Sequence, residues 1–442
     1  MIQLELDYQD TITVDITSIG TAVTRLLPEI ESLAAAHKAR GYSTVYASLN
    51  APFDKEGIAQ IEAVIKQKKS LKPTMLIVIG IGGSSLGVRA IQQALYGALY
   101  NELNPETTIY YAESTDSDAI SAITILLKKE LGGGGRVLLN VISKSGTTTE
   151  TVANFEYFLE LLKTYQPDDY YDYVVVTSQE NSPLWQYAQK HAITRLPINK
   201  NIGGRYSVFT AVGLFPLGVI GVDIAGLCKG ACLAVKNGIS SEPDNSAVVS
   251  AVIAYLQYMQ GYTIHDLFLF SADLTGVGQW YRQLVGESLG KKHDKQGELV
   301  EIGITPTVSI GSNDLHSVAQ LYLGGPRDKY TTFVKVEKNK TTIVVPPFKS
   351  GNAQMDSSAS KPMHTIMDAI FQGTQRAYRN DKRPFVTLVV PEKSPQAIGY
   401  FLQFKMIEIM YMGYLFDINP FDQPQVELYK KETRKILGSV DV

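Results

Sequence analysis

Residues Arg136 to Tyr165 read RVLLNVISKSGTTTETVANFEYFLELLKTY. The segment from Arg136 to Ser143 is a near-continuous apolar run, and the segment from Thr151 onward carries apolar residues at helical spacing. Between them lie hydroxyl residues, Lys144 and Gly146. A strand that is apolar on both faces belongs to a parallel sheet covered on both sides by helices. This stretch therefore calls for a buried strand ending at Ser143, a polar turn, and a helix beginning near Thr149.

The same succession recurs on either side. MLIVIG (75–80) precedes a helical VRAIQQALYGALY, and TTIYYAES (107–114) and YVVVTS (173–178) supply further apolar strands. From about residue 206 the rhythm resumes with HDLFLFSAD (265–273) and a helix through GQWYRQLVGESLG. Then come the strand-like TPTVSIG (305–311), YTTFVKVEK (330–338), TTIVVPP (341–347) and PFVTLVVPE (384–392). A chain of 442 residues exceeds what one hydrophobic core usually spans. The expected fold class is α/β, with two doubly wound αβα domains built on mainly parallel sheets. Residues 1–205 form the first, with an N-terminal helical arm. Residues 206–442 form the second, with C-terminal helices from Ser394 packing back across the molecule.

Composition narrows the function classes. A net charge of -3 gives no general field for nucleic acid or anionic lipid, so neither is expected as a partner. The run Phe209 to Val222 contains Pro216 and stops at Asp223, short of a membrane span. The start, MIQLELDYQD, lacks the basic-then-apolar pattern of a secretory signal. Cys228 and Cys232, the only cysteines, are read as buried free thiols suited to a reducing cytoplasm.

In an open parallel sheet, ligands bind beyond the carboxyl ends of the strands, where loops feed helix N-termini. Those N-termini present unpaired N–H groups and partial positive charge, so the hydroxyls after Ser143, together with Lys144, could cradle a phosphate. Equally, Thr147 or Thr148 could simply cap the helix. A second such turn, GIGGSSLG (80–87), invites a dinucleotide reading with Glu113 as a ribose ligand. Ser85 stands where that motif needs its third glycine, so a small phosphate ester fits the two turns better.

Six blocks in order resemble the glucose-6-phosphate isomerase family: GIGGSSLG (80–87), SKSGTTTET (143–151), NIGGRYSVFTAVG (201–213), QLVGESLGKK (283–292), SNDLHSVAQL (312–321) and NPFDQPQVELYKK (419–431). The resemblance implies two sugar-isomerase (SIS) domains and aldose-ketose isomerisation of hexose 6-phosphates through a cis-enediolate, a step of glycolysis and gluconeogenesis. It assigns Glu287 as the base, Arg205 as the cation facing the enediolate, and His316 with Lys430 as the ring-opening pair. Gln283 and Gln423 would contact the sugar. Ser84, Ser143, Ser145 and Thr148 would hold the substrate's phosphate, with Lys144 close by, and Gly83 would also bind the substrate. It implies no metal or cofactor, and a cytoplasmic homodimer in which His316 reaches the neighbouring subunit's site. One departure stands out: Gln425 occupies a position where the family usually has Gly or Ala, which matters if the backbone there needs a positive φ.

Overall fold

The computed structural model describes residues 4–242 and 245–439. Among the described residues twelve strands run in chain order as β1 (Glu5–Asp7), β2 (Met75–Ile79), β3 (Thr108–Ala112), β4 (Val137–Ser143), β5 (Val174–Ser178), β6 (Thr194–Pro197), β7 (Ile264–Phe270), β8 (Lys291–His293), β9 (Leu299–Ile302), β10 (Thr305–Ile310), β11 (Lys329–Lys338) and β12 (Phe385–Glu392). The first sheet has the order β3-β2-β4-β5-β6 and is parallel throughout. The second has the order β1-β12-β11-β7-β10, parallel except for β1 at its edge, and β8 with β9 forms a small antiparallel pair.

Alternation along the strands explains why they are apolar on both faces. In β2, Leu76 and Val78 point into one core, whereas Met75, Ile77 and Ile79 point into another. In β7, Leu267 and Leu269 enter that same first core, and Phe268 and Phe270 enter a third, aromatic cluster with Phe333, Tyr322 and Phe371. One continuous core therefore lies between the two sheets, with a smaller core outside each. The helix Pro395–Leu415 runs through the shared core almost wholly buried and packs on the helix Ile224–Gly238. At roughly 25 cal/mol for each Å² of apolar surface removed from water, such a helix is a main contributor to that core.

Three expectations need adjustment. TTIVVPP is not a strand: Val344 makes a single bridge to Pro362, and Ile343 and Val344 are exposed. Pro346 and Pro347 lack the N–H groups a ladder needs. Residues 5–7 of the N-terminal arm add a strand to the second sheet rather than staying with the first. Of the two thiols, Cys228 is buried but Cys232 is only half-buried, its Sγ 3.2 Å from the Pro52 carbonyl. The run after Phe209 forms the helix Ala211–Val219, every residue of which is buried. No helix among the described residues is long and apolar enough to cross a membrane.

Candidate active site

Three loops meet where the sheets face each other. The turn after β2 places Gly83 so close to the Gly204–Arg205 backbone that an added Cβ would lie 2.2 Å from the Gly204 carbonyl carbon. Gly82 beside it has φ +59 and borders the Gln283 amide. Gln283 and Glu287 are one turn apart on the helix Thr275–Leu289, and therefore share a face. The third contributor is the loop from Asn419 to Gln423, after the long buried helix.

Arg205 is the hub, with its guanidinium only 1% exposed. Its five N–H donors meet five acceptors: Nε to Ser288 Oγ (2.7 Å), Nη1 to Glu287 Oε2 (3.1 Å) and Gln423 Oε1 (2.9 Å), Nη2 to the Pro420 (2.7 Å) and Asp422 (3.1 Å) carbonyls. A buried charge costs several kcal/mol, and charge-assisted bonds of about 1.5–3 kcal/mol each offset it only when the set is complete. Glu287 accepts from Gln283 Nε2 on its other oxygen (3.0 Å), and its side chain keeps 31% exposure toward the cleft. Gln283 Oε1 is buried and has no partner, an acceptor awaiting a hydroxyl.

Lys291 and Asp422 complete the frame. Lys291 Nζ donates to the Glu287 carbonyl (2.8 Å) and the Asp422 carbonyl (2.5 Å) and pairs with Asp422 Oδ1 (3.0 Å). Burial pushes its ammonium below the usual lysine range despite the Asp422 charge. Sequence reasoning missed this pair because its members lie far apart in the chain. The visible signal was Lys291 inside the same block as Glu287.

At the end of β4 the hydroxyls form a loop of their own. Ser143 Oγ lies 2.9 Å from Thr148 Oγ1 and accepts from the Gly146 N–H (3.1 Å), and Ser145 Oγ accepts from Thr147. Thr148 occupies the N-cap position of the helix Thr149–Tyr165, yet its side chain makes no capping bond. The first-turn amides thus keep their free side open, which suits an anion. Lys144 lies alongside rather than over this loop: its Nζ donates to the Lys200 (2.6 Å) and Ile202 (3.1 Å) carbonyls, tying β4 to the segment that leads into Arg205. Burial, and then the Arg205 charge, lower its pKa. Ser84 sits in the short turn Gly82–Ser84, half-buried beside these groups.

Two sequence candidates stand apart from this network. His316 is exposed at the end of the turn Asn313–His316 after β10. Lys430 is on the surface helix Val426–Ser439, paired with Glu427 at 2.8 Å. Neither bonds to Arg205 or Glu287 within the chain. Gln425 carries no positive φ, so its departure from the Gly or Ala of the resembling pattern strains nothing. Glu113 is occupied by an ion pair with Arg89, which lies over the Tyr111 ring. No group of three or more His, Cys, Asp or Glu among the described residues is placed to hold a metal ion.

Comparison with known proteins gives the family and the fold. The family model described as phosphoglucose isomerase matches residues 61–441. A glucose-6-phosphate isomerase of Carboxydothermus hydrogenoformans is 33% identical over 389 residues, covering 87% of this chain and 82% of the relative. One of Shouchella clausii is 33% identical over 423 residues, covering 92% and 91%. Among solved structures, a Thermus thermophilus protein titled hypothetical superposes with TM-score 0.85 at 28% identity, covering 98% of this chain and all of that one. A Chlamydia trachomatis glucose-6-phosphate isomerase superposes with TM-score 0.82 at 21% identity, covering 98% of this chain and 88% of that one, and so supports the fold.

Proposed function

The chain belongs to the phosphoglucose isomerase family, and from that premise we propose how its residues interconvert glucose 6-phosphate and fructose 6-phosphate. The observation that carries the assignment is the Glu287 carboxylate held between the Arg205 guanidinium and the Gln283 amide, with the empty Gln283 acceptor beside it.

The phosphate binds at the open N-terminus of the helix Thr149–Tyr165, received by Ser84, Ser143, Ser145 and Thr148, with Gly83 of the neighbouring turn along the sugar. Lys144 keeps that loop in register with Arg205. The ring opens as a proton moves from the C1 hydroxyl to the ring oxygen, assisted by His316 and Lys430. Glu287 then takes the C2 proton. The C–H electrons become the C1–C2 double bond, and the former aldehyde oxygen becomes anionic. Transfer of the O2 proton to O1, with return of the carried proton to C1, leaves the ketone at C2 and a hydroxyl at C1. Arg205 is a fixed positive charge beside the developing anion, a role a guanidinium fills without reorganising. A substrate oxygen reaches its Nη1 by taking the place of the Gln423 carbonyl.

Because His316 is exposed and outside the Glu287 network in the chain, a second subunit supplies it in this reading, and the active form is a homodimer. The division into residues 1–205 and 206–442 is kept, with β1 lent to the second sheet. The free thiols suit a cytoplasmic setting. Purified protein given fructose 6-phosphate should yield glucose 6-phosphate in a dehydrogenase-coupled assay. A protein that binds the sugar phosphate without turning it over would overturn the reading.

A further inference from the structure

A second polar cluster lies apart from the Glu287 network, buried in the second sheet. Asp266 on β7 is 1% exposed. One of its oxygens, Oδ1, accepts from three hydroxyls: Thr307 (2.8 Å) and Ser309 (3.0 Å) on β10, and Tyr322 (3.1 Å) on the helix Ala319–Gly324. Its other oxygen is buried and has no partner. No lysine or arginine pairs with it among the described residues. A carboxyl in such a place is a poor contributor to stability, since an apolar residue would pack there without the desolvation cost. What it does supply is a directional anchor.

The anchored segment is the one that bears His316. Between β10 and Tyr322 the chain makes the turn Asn313–His316, and its near end is fixed by Asp314, which accepts from the Ile310 N–H (2.7 Å) and the Ser317 hydroxyl (2.7 Å). Its far end is fixed by the Tyr322 hydroxyl on Asp266 and on Ser309 (3.3 Å). The exposed His316 ring therefore takes its position from the turn that carries it, and the turn takes its position from these two carboxylates.

We propose that Asp266 is a positioning residue for ring opening, holding the His316 turn through the Tyr322 hydroxyl. This rests on the reading of His316 as a ring-opening group. The test uses the full chain and one readout: NMR measurement of hydrogen exchange at C1 in deuterated water, which reports enediolate formation. Fructose 6-phosphate must be opened first. A ketose 6-phosphate lacking O5 cannot close its ring and skips that step.

Tyr322→Phe should slow exchange from fructose 6-phosphate about tenfold, the usual scale for a misplaced catalytic group, and leave the open-chain analogue within about twofold. Asp266→Val should show the same selectivity. Asp266→Asn, which keeps an acceptor at Oδ1, should recover most of the loss. His316→Gln serves as the reference and should also be selective for the ring-forming substrate. If His316→Gln is selective and Tyr322→Phe is not, the positioning role is overturned while the ring-opening role stands. If His316→Gln slows both substrates equally, the ring-opening role falls and the positioning role with it.

Discussion

With its five donors satisfied by five acceptors from two segments, residues 287–288 and 420–423, Arg205 fixes where Glu287 and Gln423 can be. Glu287 has one oxygen on Arg205 and the other on Gln283, so its own motion is small, which suits the proposed transfer of a proton between adjacent carbons. Glu287→Gln keeps the shape and removes the proposed base. Its kcat should fall by about 10² to 10⁴ while KM stays near the parent value. A large rise in KM with kcat intact would place Glu287 in binding instead. At the other end of the proposed substrate site, Ser145→Ala with Thr148→Ala should raise KM more than it lowers kcat, because in this reading those hydroxyls face the phosphate and not the reacting carbons. Thr148 makes the point sharply, since its side chain leaves the helix end open and bonds to Ser143. Arg205, Glu287 and Gln283 were legible from their blocks. The Lys291–Asp422 pair was not, because an ion pair across 131 residues leaves no local pattern.

The glycine-rich turn after β2 and the turn Gly204–Tyr206 are pressed backbone to backbone, and in the proposed reading this contact sets the distance between the phosphate end and the carboxylate end of the site. A methyl at Gly83 would meet Gly204 and Arg205 main-chain atoms at 2.2 to 2.6 Å. Neither backbone can move aside as a flexible side chain would. Gly83→Ala should therefore cut kcat/KM by about a hundredfold with an unchanged far-UV circular dichroism spectrum, as expected when reacting groups are displaced by about 1 Å. An active Gly83→Ala would mean that the two turns are not coupled. The long apolar strands β2, β4, β5, β7, β11 and β12 were readable because burial on both faces writes itself into composition. The edge elements were harder. β1 is a short polar strand whose pairing is decided by β12, and TTIVVPP has strand composition but prolines where a ladder needs donors.

The shared core makes the two sheets one folding unit in energetic terms, and two neighbouring groups on β7 give its stability a specific pH signature. Burial raises the Asp266 carboxyl from 3.8 to about 6. Between those values the folded chain binds a proton that the unfolded chain has released, so this contribution to stability falls as pH rises through the window. His265 is pushed by burial from 6.5 down to about 3, and there the unfolded chain binds the extra proton. Its contribution falls as pH drops from 6.5, so the two slopes oppose each other between about pH 4 and 6. Asp266→Asn removes the first. Its stability relative to the parent, from urea unfolding, should improve by up to about 3 kcal/mol between pH 4 and 7, since each tenfold change in proton affinity is worth about 1.4 kcal/mol. A difference that does not change with pH would mean that Asp266 titrates as a free carboxyl does. Asp314, Tyr322 and Tyr378 are the titratable groups nearest in influence, and Asp314 pushes in the same direction as burial.

By itself, the sequence determined the α/β class, the strand-to-helix turns that suit a phosphate, and the blocks that place the chain among the phosphoglucose isomerases. Each of these depends on residues close together in the chain, so spacing and composition carry them. Only the tertiary structure decided that both sheets share a core, that Lys144 ties β4 to the segment leading into Arg205, and that the Arg205 fork is filled. It also decided that the His316 turn hangs between Asp314 and Asp266. Those are facts of packing between distant segments, where the buried cost of an unpaired charge or hydroxyl selects partners that no local pattern names.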